Sequence, residues 1–330
     1  MPKSLVTGGA GFLGSHVAQH LLDAGHEVIA LDDLSGGFIE NVPLAAEFVN
    51  MSITDHDALA WLFAGEQFDY VFHLAAYAAE GLSHFIRHYN YTNNLLGSVN
   101  LINESVKHDV ARFVFTSSIA VYGTNQVPMR EDMIPAPEDP YGIAKHAVER
   151  DLHSATMMFG LPFTIFRPHN VYGERQHLGD RYRNVVGIFC RQLAAGQPMT
   201  VFGDGSQSRA FSHVDDVAPV IARCIDVPHA VGETFNIGAD QPCTVMEVAH
   251  LVGEAWGDEY RINLLPARYE VEHAFTAHDK ARQAFDLPEP IALEDGIARM
   301  VAWAKKQPAR EPSSFGAIEV EKNLPSFWQS

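Results

Sequence analysis

Cysteine is scarce. The 330 residues hold three thiols, Cys190, Cys224 and Cys243, far apart and matching no metal-ligand spacing. That argues against thiolate metal sites and predicts buried or incidental thiols in a reducing cytoplasm. Positive charge is scarce too: 23 Lys and Arg stand against 41 Asp and Glu, for a net charge of −18. Nucleic acids and anionic membranes demand clustered cations to neutralise phosphate, so neither is an expected partner. Apolar runs long enough to span a bilayer are absent. The strand pattern begins at once after Met1-Pro2-Lys3, leaving no room for a signal peptide. A cytoplasmic protein is the expectation. Histidine is the exception to this thinness, with 17 copies. They are scattered, no pair has a third partner at ligand spacing, and no metal is predicted.

What is present is a core. Hydrophobic residues make up 47% and charged residues 19%, a balance that suits a folded globular chain. Short apolar strands are expected at 4–7, 27–31, 47–50, 70–74, 112–116 and 162–166. Amphipathic helices are expected between them at 12–24, 55–63, 83–108 and 141–159. Strands alternating with helices predict an α/β fold, a doubly wound parallel sheet covered on both faces. The rhythm breaks after Arg167. Loops, a helix over 185–195 and a turn at 202–205 follow. A helix over 214–225 and a strand over 234–237 return to the sheet. The remainder, 244–305, reads as mostly helical, and the polar, proline-bearing tail after Gln307 as loosely attached or an oligomer arm.

The glycine turn GGAGFLG at 8–14 gains its meaning from context. It follows a strand, opens a helix and precedes a second strand ending in Asp32-Asp33. Gly8 permits the tight turn, Gly11 lets a pyrophosphate approach the backbone, and Gly14 lets the helix pack closely on the sheet. The helix amino terminus supplies amide donors for phosphates. Asp32 can accept from both hydroxyls of an adenosine ribose and would repel a 2′-phosphate, and no arginine lies nearby to receive one. NAD is therefore expected over NADP.

The segment YGIAK places Tyr141 and Lys145 one helical turn apart. A phenol ordinarily titrates near pH 10, so it needs a neighbouring cation to act as a base at neutral pH. Lys145, with the positive nicotinamide ring, is expected to supply one and to hold the nicotinamide ribose. Ser118, just past a strand, is placed to share a substrate hydroxyl with Tyr141. The phenolate would take a proton as hydride leaves the carbinol carbon.

Together TGGAGFLGSH at 7–16, Asp32-Asp33, HLAA at 73–76, TSSIAVYG at 116–123, YGIAK at 141–145 and RPHNVYG at 167–173 resemble the extended short-chain dehydrogenase/reductases that modify nucleotide sugars. The resemblance runs to about Trp303 and is closest in type to the UDP-glucose (UDP-galactose) 4-epimerases. It implies a Rossmann-type NAD-binding domain over 1–170 plus about 211–238. A smaller, mostly helical nucleotide-sugar-binding domain would span about 171–210 and 239–330. Ser118, Tyr141 and Lys145 would be catalytic. Phe12, Leu13, Asp32, Asp33, Ser52, Ile53, Leu74, Ala75, Ala76, Asn93 and His169 would line the NAD site with the glycine turn. Asn170, Asn184 and Val185 would meet the nucleotide sugar, and Arg209 and Arg268 would clamp its diphosphate, a task suited to the planar guanidinium fork. A homodimer through helices 83–108 and 141–159 is likewise implied.

Several positions depart from the family pattern. Ser52 stands where an Asp is common, Ala78 where some epimerases carry Lys, and His169 where an aromatic or small residue adjoins the nicotinamide. The residue that governs acceptance of an N-acetyl group falls at Ala274 or Phe275. The implied reaction is epimerisation at C4 of UDP-glucose or UDP-galactose through a 4-keto sugar. C2 epimerisation, 4,6-dehydration and decarboxylation are the enzymatic alternatives, and an NAD-binding sensor or scaffold is the non-enzymatic one. Dehydratases use an Asp-Glu pair where this chain has Ile119-Ala120, and decarboxylases tend to carry Glu at the Ala120 position. Neither acid is present.

Overall fold

The computed structural model describes all residues except 125, 258, 268–270, 309–314, 326–327 and 329–330. Its first strands and helices follow the expected alternation: β1 (Lys3–Thr7), α1 (Phe12–Asp23), β2 (Glu27–Asp32), β3 (Glu47–Asn50), α2 (His56–Gly65) and β4 (Tyr70–His73). The predicted helix over 83–108 is broken into α3 (Glu80–Ser83), α4 (Arg87–Tyr91) and, after a π turn at Thr92–Leu96, α5 (Gly97–Lys107). Then come β5 (Arg112–Thr116), α6 (Pro140–Phe159) and β6 (Phe163–Pro168). Helix α6 has sharp ends for local reasons. The Asp139 side chain accepts from Gly142 N, Pro140 occupies the first turn, and Gly160 stops the helix at φ +76°.

The second half of the chain supplies β7 (Val171–Tyr172), α7 (Val185–Ala194), β8 (Met199–Phe202), β9 (Ser208–Ala210), β10 (Ser212–His213), α8 (Val214–Arg223) and β11 (Thr234–Ile237). It ends with β12 (Pro242–Thr244), α9 (Val245–Trp256), β13 (Ile262–Leu265), β14 (His273–Ala274), α10 (Asp279–Phe285) and α11 (Leu293–Ala304). Seven strands form one sheet in the order β11-β6-β5-β4-β1-β2-β3, every pair parallel.

Strand side chains alternate between two cores, as a period of two requires. Leu5, Ile29, Val71, Phe113, Phe115 and Ile165 face Leu59, Leu101, Val148 and Leu152 of α2, α5 and α6. Val6, Val28, Phe72, Val114 and Phe166 face Val17, Leu21, Val217 and Ile221 of α1 and α8. Helix α10 also joins this second core through Ala281 and Phe285, although it lies within 239–330.

A third core, built on Phe189, Met199, Val201, Phe211, Val248, Val252, Met300 and Val301, forms the second lobe. Helices dominate it, as expected, but short strands also pair there: β12-β9-β14 and β13-β8. The described tail is not loose. Phe315, Ile318 and Trp328 pack on Tyr77, Phe85, Tyr89 and Tyr182 of the same chain.

Candidate active site

In a parallel sheet of this kind the carboxyl ends of the strands share one edge, and a crevice opens there. Here it is a cleft of about 1470 Å³ between the sheet and the second lobe, larger than the pockets of about 300–1,000 Å³ that hold one small molecule. The turn after β1 forms one wall. Gly8 has φ +72°, and a Cβ on Gly14 would stand 2.0 Å from the Gly8 carbonyl oxygen. Only glycine lets α1 start so close to the turn. Asp32, at the end of β2, accepts from Ala10 N (3.1 Å) and Leu34 N (2.8 Å), which ties the turn to the strand. Burial raises the Asp32 carboxyl above its ordinary range, and these backbone donors oppose the rise.

Gly8, Gly11, Phe12, Leu13, Gly14, Asp32, Asp33, Ile53, Leu74, Ala75, Ala76 and Asn93 all line the cleft. Ser52 does not. Its neighbours Met51 and Ile53 line the cleft instead, and its hydroxyl bonds Thr54 Oγ1 at 2.9 Å. Side chains that sequence reasoning did not place in the site, His73 of the HLAA motif and Asn94, set the loop after β4. His73, buried, lies between Thr7 Oγ1 and Ser98 Oγ at 2.8 Å each. Asn94 accepts from Tyr77 N (2.8 Å) and donates to Tyr77 O (3.0 Å).

The opposite wall carries Ser118, Tyr141 and Lys145. Ser118 begins the 3-10 turn Ile119–Tyr122, with its Oγ accepting from Ala120 N at 3.1 Å. Tyr141 and Lys145 are 7% and 2% exposed on α6. Burial pushes the Tyr141 phenol up, and its hydrogen bond with Ser118 works against that. Burial also lowers the Lys145 ammonium to about 7. Lys145 Nζ donates to Thr116 O at 2.8 Å and sits 5.9 Å from the Tyr141 ring centre. In the chain alone burial dominates the phenol, and the expected activation involves Lys145 together with the nicotinamide ring. Glu80 and Asp139 add to the rise and Arg183 opposes it.

Behind this wall Glu149 and Arg167 form a buried two-pronged ion pair (2.8 and 2.5 Å), which Arg167 extends to the Tyr122 hydroxyl at 2.7 Å. Tyr122 in turn donates to Asn236 at 2.8 Å. The network locks α6, the Ser118 turn, β6 and β11 together. His169 also lines the cleft. Its Nδ1–H donates to Ala210 O (2.8 Å), and its Nε2 lies 3.1 Å from Nε2 of His278, which is bonded through Nδ1 to Asp240 at 2.7 Å. Burial depresses both imidazoles, so His169 is a fixed neutral wall.

Asn170, just after β6, and Asn184, Val185 and Arg209 of the second lobe reach the cleft. Asn184 caps α7, accepting from Val186 N at 3.2 Å. Arg209 is tethered to the carbonyls of Ser208, Glu272 and Val271. Arg268 lies outside the described residues. Ala274 lines the cleft and Phe275 does not.

Four lining arginines were missed: Arg175, Arg181, Arg183 and Arg191. Their clustering in the stretch 175–191 of a cation-poor chain was the available signal. Arg191 Nε is buried with no hydrogen-bond partner, at the end of the cleft lined by Gln192, Thr200 and Phe202. A strongly acidic protein thus gathers guanidinium groups around one cleft, the arrangement an anionic ligand requires. Among the described residues no set of three metal-ligating side chains accompanies them.

The glycine turn, the buried acid after β2 and the Ser-Tyr-Lys wall coincide with one family profile, "NAD dependent epimerase/dehydratase family", which matches residues 4–238. The chain belongs to that family. This epimerase/dehydratase family member is 34% identical over 313 residues to a UDP-glucose 4-epimerase of Mycolicibacterium smegmatis, covering 92% of this chain and 99% of that one. Among solved structures it resembles the UDP-glucose 4-epimerase of Thermotoga maritima with UDP-glucose (TM-score 0.86, 35% identity, 92% of this chain and 99% of that one). It also resembles the Thermus thermophilus enzyme in complex with NAD (TM-score 0.85, 30% identity, the same coverage). The family's cofactor is NAD. The residues present fit it: a turn closed to side chains, a buried acid at the end of β2 that lines the cleft, and a buried lysine one helical turn from the phenol.

Proposed function

We propose that this enzyme interconverts UDP-glucose and UDP-galactose by oxidising C4 of the sugar, letting the 4-keto sugar turn, and reducing the opposite face. NAD, when bound, supplies a nicotinamide that takes the hydride and gives it back. Tyr141 receives the C4 hydroxyl proton and later returns it. Ser118, bonded to the phenol, shares that hydroxyl. Lys145 holds the nicotinamide ribose, and its low-lying ammonium, anchored on Thr116 O, lets the proton balance of this wall change near neutral pH. Asn170, Asn184, Val185 and Arg209 would receive the diphosphate and nucleotide, with Arg191 as a further anion partner.

One observation carries epimerisation over dehydration. The cleft surface beside Ser118 is Ile119 and Ala120, aliphatic where a dehydratase must protonate a leaving hydroxyl. Small Ala274 in the lining leaves room for a substituent on the sugar. The test is incubation with a panel of nucleotide sugars without added NAD. An isomer of unchanged mass from UDP-glucose is expected; loss of water or carbon dioxide, or no product, overturns the reading.

The assembly proposed with it is a homodimer through α5 and α6. On a single chain Met157, Met158 and Phe159 are 83%, 70% and 68% exposed at the end of α6, and Leu96 is exposed ahead of α5. Such a patch on a protein otherwise rich in surface acid supports a partner of its own kind.

A further inference from the structure

The carboxy-terminal segment lies outside the matched family region and takes no part in the chemistry above, yet its described residues border the cleft. Its first anchor is Glu319, whose carboxylate accepts from His88 N (2.7 Å) and Tyr89 N (2.8 Å) at the start of α4. Glu319 N and Val320 N both donate to Phe85 O. Its second anchor is aromatic. The Phe315 ring lies 5.2 Å from that of Tyr77 and 4.9 Å from that of Tyr89, and Trp328 lies 5.9 Å from Phe85 and 5.4 Å from Tyr182.

Tyr77, Phe85 and Tyr89 belong to the sheet half of the molecule, while Tyr182 stands on the loop before α7. The segment therefore ties the two halves together. It also walls the cleft: Asn323, Pro325 and Trp328 line it. Phe315, Gly316, Ala317 and Glu319 line an adjoining cavity of about 570 Å³ that shares Ser35, Tyr89, Asn93 and Arg183 with the cleft. Ser35 and Asn93 stand with the cofactor-binding residues, so the strap closes the cofactor's side of the crevice.

We propose that residues 315–325 together with Trp328 are part of the cofactor site, a strap that slows NAD release. The proposal rests on the epimerase reading in one respect: a cofactor that leaves between the two half-reactions would strand the sugar as a ketone, so slow release serves that chemistry. NAD would have to depart past the Tyr77–Phe315–Tyr89 cluster or wait for Trp328 and Tyr182 to part.

The experiment compares the full chain with three variants: a chain ending at Gln307, Glu319→Ala, and the double variant Phe315→Ala/Trp328→Ala. Each is loaded with radiolabelled NAD and chased with excess unlabelled NAD, with thermal unfolding recorded alongside. Since most affinity differences reside in dissociation rates, release about tenfold faster or more is expected in the truncated chain and the double variant, with a smaller rise for Glu319→Ala. Release within about twofold of the full chain in the folded variants overturns the proposal. If the truncated chain does not fold, the two full-length variants decide. The chase needs no sugar, so the strap and the substrate assignment fail separately.

Discussion

Tyr141 is the residue on which the chemistry turns. Tyr141→Phe keeps the ring that packs in α6 and removes only the hydroxyl. It is expected to fold and bind NAD but to lose about 10²–10⁴-fold in kcat, the usual worth of a positioned acid–base group. Steady-state turnover of UDP-glucose with parallel NAD quantitation measures it, and full activity in the variant would refute the mechanism. Asp32 makes a different prediction, because its carboxylate both receives backbone amides and faces the cleft. Asp32→Ala should weaken NAD by about ten- to a hundredfold, the loss of charged hydrogen bonds, and narrow the gap to NADP. Fluorescence titration of cofactor-stripped protein reports both, and equal affinity of the unaltered protein for NAD and NADP would contradict the role assigned to Asp32. The thiols, by contrast, offer little chemistry: burial raises both Cys190 and Cys243 to about 12.

At the level of elements, the Glu149–Arg167 pair sets where α6 stands against β6. Burial alone would raise the Glu149 carboxyl, yet Arg167 holds it at about 2 against an ordinary 4.5. Its contribution to stability is complete above pH 4.5 and is lost as pH falls from there to 2. Glu149→Gln leaves a buried guanidinium without its counter-charge and should cost about 3–5 kcal/mol at pH 7. Urea unfolding at pH 7 and pH 3 checks both points, since the difference between the proteins should shrink at the lower pH. A difference independent of pH would show that the carboxylate charge is not what stabilises the joint. Such elements were legible in the sequence because each announces itself locally. β1, the glycine turn, α1 and β2 follow one another without interruption, and Asp139-Pro140 with Gly160 punctuates α6. The strands of the second lobe did not announce themselves. β9 is three residues long and pairs with β14 across more than sixty intervening residues, so neither looks like a strand until the other is in place. Arg191 was hidden in the same way, as one polar residue on a helix whose apolar face dominates its pattern. The tail misled through composition: prolines and polar residues suggested slack, while Phe315 and Trp328 did the anchoring.

For the molecule as a whole, the proposed dimer is the nearest prediction. Light scattering should return twice the chain mass, and Met157→Glu/Phe159→Glu should return a single chain with its NAD site intact. A monomer before any substitution removes the assembly from the picture. The two lobes face each other across the cleft, so whatever bridges them there has leverage on what the cleft holds. That has a practical side for anyone handling the protein. Trp328 lines the cleft, and an affinity tag or surface tether fused after it is expected to disturb the proposed strap and lower cofactor content before an assay begins. The far edge of the sheet, where Lys3 is bolted to Glu27 and Glu66 at 2.7 Å each, is the quieter handle, and purification from that end should deliver the protein with its NAD undisturbed.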